Sequence, residues 1–293
     1  MLTKPGIILG NLVSFAGAFL LASRGHIDPW RLLLCGAGVG LAIGSACVGN
    51  NLIDIDIDRK MTRTRRRGLV TGAVGLHTAL ALAALLGCCG FALLAWWGGT
   101  LVVAVVLIGF LNYVVAYSLY WKRRSVHGTL VGSLSGATAP VAGYCAVSGR
   151  FDREALLLLL IFGLWQMPHA YAIAIARLRD YQLAAIPVLP LQRGIAAARR
   201  QMVAYVAAFL AAALALALLQ YAGGAYALVT AILGLSWLRL AWSRARAADD
   251  FAWARSVFSF SLVVVLALSL MMAIDYRVPA GAAPIVAERS ATG

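Results

Sequence analysis

Long apolar runs alternate with short basic patches along the whole chain. Asp, Glu, Lys and Arg are absent from 7–23, 32–53, 68–121, 125–149, 155–176, 201–238 and 256–274. A membrane-spanning helix needs about 20 predominantly apolar residues. The runs 68–121 and 201–238 are long enough for two helices each, turning near Trp96-Trp97-Gly98-Gly99 and Tyr221-Ala222-Gly223-Gly224. The pattern predicts an all-α membrane protein, with nine transmembrane helices in a single bundle over 1–278. The Pro-, Ala-, Gly- and Ser-containing tail 279–293 reads as flexible. The run 7–23 has the look of a signal-peptide core, but no small-residue cleavage site and soluble domain follow it, so it reads as the first helix.

The basic patches set an orientation. Lys4, the segment 59–67, Lys122-Arg123-Arg124, 177–200 and 239–255 fall on one side of a nine-span chain and hold most of its 25 Lys and Arg. Lys and Arg collect in cytoplasmic loops. The N-terminus is thus expected in the cytoplasm and the C-terminus outside. No Arg- and Ser-rich presequence precedes the first helix, which points to a bacterial inner membrane. The net charge of +14 is mostly this topology signal, and no nucleic-acid binding is read from it. Composition agrees with a lipid bilayer as solvent: 62% of residues are hydrophobic, only 12% are charged, and mean hydropathy is +0.86. Soluble domains carry about 25% charged residues. The five cysteines sit in apolar helices without a CxxC pair and read as packing groups.

Chemistry concentrates in two places. In the first, Asn50, Asp54 and Asp58 recur every four residues and share one face if the second helix continues through them, with Asp56 pointing elsewhere. Arg59, Lys60, Arg63, Arg65, Arg66 and Arg67 follow at once. Carboxylates backed by dense positive charge suit Mg²⁺ and a diphosphate, because Mg²⁺ binds through one or two carboxylates plus substrate phosphate. The bland alternative is an interfacial charge network among Asp54, Asp58, Arg59, Lys60 and Arg63. Acids beside a membrane helix are costly and usually functional. The second place is Trp165-Gln166-Met167-Pro168-His169, followed by Tyr171 and Arg179-Asp180-Tyr181-Gln182. Pro168 is expected to kink its helix. A lone His at such depth is ordinarily a hydrogen-bonded core residue. Asp180 either faces Asp54 and Asp58 across the bundle or pairs with Arg177. Gly128, Gly132 and Gly136 at four-residue spacing allow close helix packing, or close approach of a substrate to backbone.

Asn50-Asn51-x-x-Asp54-x-x-x-Asp58 resembles the signature of the UbiA-type intramembrane prenyltransferases. Thr3-Lys4-Pro5-Gly6, Asp56-Ile57-Asp58-Arg59-Lys60, Tyr117-Ser118-Leu119-Tyr120, Trp165 to His169 and Asp180-Tyr181 with Ile186-Pro187 are similar to its heme-farnesylating branch. The resemblance runs from about 3 to 278. Three positions depart from the pattern: Asn51 stands where the superfamily usually has Asp, Ile55 where the branch usually has Arg, and the second acidic motif holds only Asp180. The resemblance implies transfer of a farnesyl group from farnesyl diphosphate to a vinyl group of heme b (protoheme IX), with addition of water, giving heme O for a terminal oxidase. It implies Mg²⁺ held by Asn50, Asp54, Asp58 and Asp180, and diphosphate contacts from Lys4, Asn50, Arg59, Lys60, Lys122 and Arg123. It further implies an aromatic lining for the allylic cation or the heme from Tyr117, Tyr120, Trp165, His169 and Tyr171, with Tyr113 beside them. Two rivals stand beside this reading: a prenyltransferase acting on an aromatic acceptor, and an ion-coupled secondary transporter. Transporters place their substrate sites near the bilayer midplane, whereas these acids fall at helix ends.

Overall fold

The computed structural model describes residues 2–243 and 250–277, so the expected tail at 279–293 lies outside the described residues. Among the described residues, nine helices are long and apolar enough to cross a membrane. They are α1 (Pro5–Ser23), α2 (Pro29–Ile53), α3 (Leu76–Gly98), α4 (Thr100–Arg124), α5 (Gly128–Ser148), α6 (Arg153–Ala176), α7 (Gly194–Leu218), α8 (Gly224–Trp242) and α9 (Asp250–Ile274). The chain is therefore a multi-pass membrane protein, with the span count that the apolar runs predict.

Local chemistry sets the helix ends. Asp28 accepts from the Arg31 N–H at 3.0 Å and Pro29 opens α2. Asp152 accepts from the N–H groups of Glu154 and Ala155 at 3.1 and 3.2 Å at the start of α6. Such caps satisfy donors that the first helical turn leaves without partners. Pro168 lies inside α6, which continues as one helix to Ala176.

Each helix packs on the next, and α9 returns to α1, which closes a ring. The two most extensive of the further contacts cross the middle: α1 lies on α5, and α6 lies on α9. The first needs an absent side chain. A Cβ on Gly143 of α5 would sit 2.2 Å from the Phe15 carbonyl oxygen of α1. The core (Phe15, Phe19, Tyr144, Phe209, Trp237 and their neighbours) is buried between helices. Leu9, Leu33, Ile108 and Leu228 are exposed on the outside. That distribution suits a bundle whose surface is wetted by lipid.

The two ends of the bundle are built differently. At one, Gly223 donates to the Asp275 carbonyl at 2.7 Å, Arg277 donates to the Tyr221 carbonyl at 2.9 Å, and Asp275 Oδ2 accepts from the Tyr226 N–H at 2.6 Å. Main-chain bonds thus clasp the α7–α8 turn to the end of α9. The opposite end gathers the long basic side chains.

Candidate active site

The acidic stripe forms as its spacing predicts, with one correction. α2 stops at Ile53, Asp54 stands at the joint, and a short helix, Ile55–Lys60, carries Asp58. The joint is tight. The Asp54 N–H donates to the Asn50 carbonyl at 2.9 Å and the Asp58 N–H to the Asp54 carbonyl at 2.7 Å. Asn50, Asp54 and Asp58 are all buried, whereas Asp56 is exposed. Asp56 instead takes two bonds from Arg123, at 2.7 and 2.8 Å, which hold its carboxyl down at about 2.

Cations close over the buried acids. Lys122 pairs with Asp54, and Arg67 lies 2.5 Å from Asp58. Lys4 donates to Asn50 Oδ1 at 2.5 Å, and Asn50 Nδ2 donates to Asp54 at 2.8 Å and to Ser118 at 2.9 Å. Lys4 adopts a left-handed backbone (φ 52°), a strained conformation for a non-glycine residue and one that collects at functional sites. Burial, with Arg67 and Lys122 nearby and only Cys47 and Asp54 acting against it, pulls the Lys4 ammonium down to about 8. A strand of π-helix, Asn112–Trp121, brings in Ser118 and its neighbours. Such stretches are rare and frequent at functional sites.

Asp54 Oδ1 is buried without a hydrogen-bond partner, and the Arg123 guanidinium lies 3.6 Å away. An unsatisfied buried carboxylate oxygen is expensive. It is also an open donor position of the kind Mg²⁺ takes. Asn50, Asp54 and Asp58 offer oxygen atoms, the donor chemistry that ion prefers, but each is paired with a cation and none lines the cavity beside them. Asp180 does not join them. Its Oδ1 accepts from the Thr62 N–H at 2.9 Å, which ties the 178–183 helix to the basic loop, and no salt bridge to Arg177 forms. Among the described residues, no three His, Cys, Asp or Glu side chains gather as a metal cluster.

Beside this network lies a cavity of about 740 Å³, walled by α1, α2, α4, α5, α6 and α9. Its lining is mostly apolar, with charge at Lys4, Arg63 and Arg67 and polar groups from Asn11, Ser14, Ser135, Thr138, Gln166 and His169. Of the aromatic candidates, Trp165 and His169 line it, as does Tyr113. Tyr117 stacks behind Tyr113 at 5.7 Å between ring centres. Two candidates point away. Tyr120 is exposed under the Arg124 guanidinium, and Tyr171 turns toward α7, where its hydroxyl donates to Gln201 at 2.9 Å. Arg59 and Lys60 are exposed and outside the cavity wall. Arg63 and Arg67 of the basic run, Gln166 of the second stretch, and Asn11 also belong to the wall. The glycine spacing in α5 serves this wall, since a Cβ on Gly136 would lie 2.0 Å from Gln166 Nε2.

The departures have local explanations. Asn51 accepts from Arg67 at 3.0 Å and donates to the Leu2 carbonyl at 2.8 Å. A carboxylate there has no hydrogen to donate. Asn51→Asp is expected to lose the bond to the half-buried Leu2 carbonyl, at about 0.5–1.5 kcal/mol, read as a lower unfolding temperature. Ile55 packs with Leu52 and Leu2 against Val48, Leu69 and Ala79.

The UbiA prenyltransferase family model matches residues 11–269, and the chain belongs to that family of membrane prenyltransferases. A relative in Chromobacterium violaceum, named protoheme IX farnesyltransferase 2, is 55% identical over 278 residues, 94% of this chain and 92% of its own. A protoheme IX farnesyltransferase of Pseudomonas syringae pv. tomato is 54% identical over 277 residues, 94% of each chain. Two solved structures share the fold. A UbiA homolog from Aeropyrum pernix K1 superposes with TM-score 0.72 at 24% identity, covering 92% of this chain and 98% of its own. A homolog from Archaeoglobus fulgidus, bound to GPP and Mg²⁺, gives 0.65 at 14% over the same shares. Membership in this family sets the transporter reading aside.

Proposed function

We propose that this enzyme transfers a farnesyl group from farnesyl diphosphate to a vinyl group of protoheme IX, with addition of water, to give heme O. The observation that carries the reading is a largely apolar cavity whose charged lining residues among those described, Lys4, Arg63 and Arg67, are cations, with Lys4 and Arg67 bonded to the buried Asn50 and Asp58. The names of relatives alike over nearly the whole chain select the heme acceptor.

Lys4, Arg63 and Arg67 line the cavity and would receive the diphosphate. Negative charge grows on the leaving oxygens as the allylic C–O bond breaks, and fixed cations stabilise that charge more than they stabilise the substrate. Bound Mg²⁺, held by Asn50, Asp54 and Asp58, would act as a Lewis acid on the same oxygens. Asp180 braces the basic loop from outside. Apolar walls exclude water from the allylic cation, and the ring faces of Tyr113 and Trp165 favour positive charge. The vinyl π electrons then form the new C–C bond. Water captures the resulting cation and loses a proton to the released diphosphate, leaving the hydroxyl.

The same reading places the basic end, and with it the active site, at the cytoplasmic face of a bacterial inner membrane, and makes a terminal oxidase the consumer of the product. The test is reconstitution. Purified protein with heme b, farnesyl diphosphate and Mg²⁺ is expected to yield heme O by extraction and absorption spectroscopy. Chelation by EDTA is expected to stop the reaction and added Mg²⁺ to restore it. Failure with heme but transfer to an aromatic acid such as 4-hydroxybenzoate would overturn the reading.

A further inference from the structure

His169 is held in a way that a packing role does not require. Its ring lies between Trp165 and Phe258, with ring centres 4.8 Å away on both sides. Nδ1 is 2.7 Å from the Ser261 hydroxyl, and that hydroxyl oxygen lies 2.5 Å from the Phe258 carbonyl oxygen. Two oxygens approach so closely only with a hydrogen between them, so Ser261 donates to Phe258. A hydroxyl has one hydrogen. The hydrogen in the Nδ1 contact therefore belongs to the imidazole, which leaves Nε2 with a free lone pair. Ser261 is fully buried and absent from the cavity wall, whereas His169 lines it. The edge opposite Nδ1 is thus the one that meets the cavity.

We propose that Nε2 of His169 coordinates the iron of the heme acceptor, and that Ser261 is the positioning residue that sets its tautomer. The proposal rests on the heme reading above. Metal-binding histidines typically donate their other ring N–H to an oxygen that fixes tautomer and ring orientation. The Ser261–Phe258 relay does so without introducing a charge. A proton-accepting role fits less well, because no carboxylate lines the cavity among the described residues to hold an imidazolium. The stacked rings fix the direction of the lone pair, and iron ligation from one wall would set how far the porphyrin lies from the diphosphate end.

The experiment is a titration of purified wild-type and variant protein with ferric heme b and, separately, with iron-free protoporphyrin IX. Wild type is expected to give a saturable Soret shift typical of nitrogen ligation. His169→Gly is expected to lose that shift, to regain it with added imidazole, and to bind protoporphyrin as wild type does. Ser261→Ala is expected to weaken heme binding about 10-fold, with Ser261→Thr restoring it. An unchanged heme spectrum in His169→Gly would overturn the proposal. So would equal losses for heme and protoporphyrin, or equal effects of Ser261→Ala and Ser261→Thr. Heme O formation by wild type alongside an unaltered His169→Gly spectrum would sink the ligand assignment alone. A ligated heme that is never farnesylated would sink the reaction alone.

Discussion

Asp54→Asn is expected to lower prenyl transfer by about 10²–10³-fold, the scale seen when a preorganised group that stabilises transition-state charge is lost. The substitution keeps the shape of the side chain. It removes the charge that neutralises Lys122, and if the remaining oxygen stays on Lys122 and Asn50, an NH2 that cannot ligate a metal replaces Oδ1. Breaking a fully buried ion pair costs about 3–5 kcal/mol. The cost should be smaller here, because the Lys122 side chain keeps 14% of its exposure and can turn outward. Activity should therefore fall much further than stability. Steady-state heme O formation and thermal unfolding in detergent separate the two. Turnover near wild type would remove Asp54 from the chemistry. Asp56→Asn is the internal control, expected to leave turnover within about 2-fold, because an exposed ion pair contributes little.

Gly143→Ala is expected to be the most damaging single methyl in the bundle's interior. Its Cβ would meet the Phe15 carbonyl at 2.2 Å, and backbone cannot step aside as a side-chain tip can. Overpacking of a filled core costs about 1–3 kcal/mol and occasionally more. The crossing it disturbs holds α1 against α5, and α1 begins directly after Lys4. Lower unfolding temperature and weaker diphosphate binding should therefore appear together. A variant with the unfolding temperature of wild type would show that the two helices separate freely.

How far the sequence could be read follows from the range of each force. Span count depends on hydropathy summed along the chain, so nine spans were legible without any tertiary contact. The stripe of Asn50, Asp54 and Asp58 was legible because the one-residue joint at Asp54 barely alters a four-residue spacing. Tyr120 was not, because it follows Tyr113 and Tyr117 at helical spacing only if the helix is regular. The π-helical stretch Asn112–Trp121 spreads that spacing and carries Tyr120 out to Arg124. Tyr171 was readable in principle. It lies two residues beyond His169, about 200° around a helix that turns 100° per residue. Arg67 was hidden for the opposite reason. Nothing local says that a side chain nine residues after Asp58 folds back onto it.

The main-chain clasp at Gly223 and Asp275 has a mechanical corollary. Peptide bonds to peptide do not exchange partners when an anion arrives, whereas ammonium and guanidinium groups do. That corner is therefore held by bonds indifferent to charge, while at the other end Lys4, Arg67 and Lys122 are free to swap one counter-ion for another.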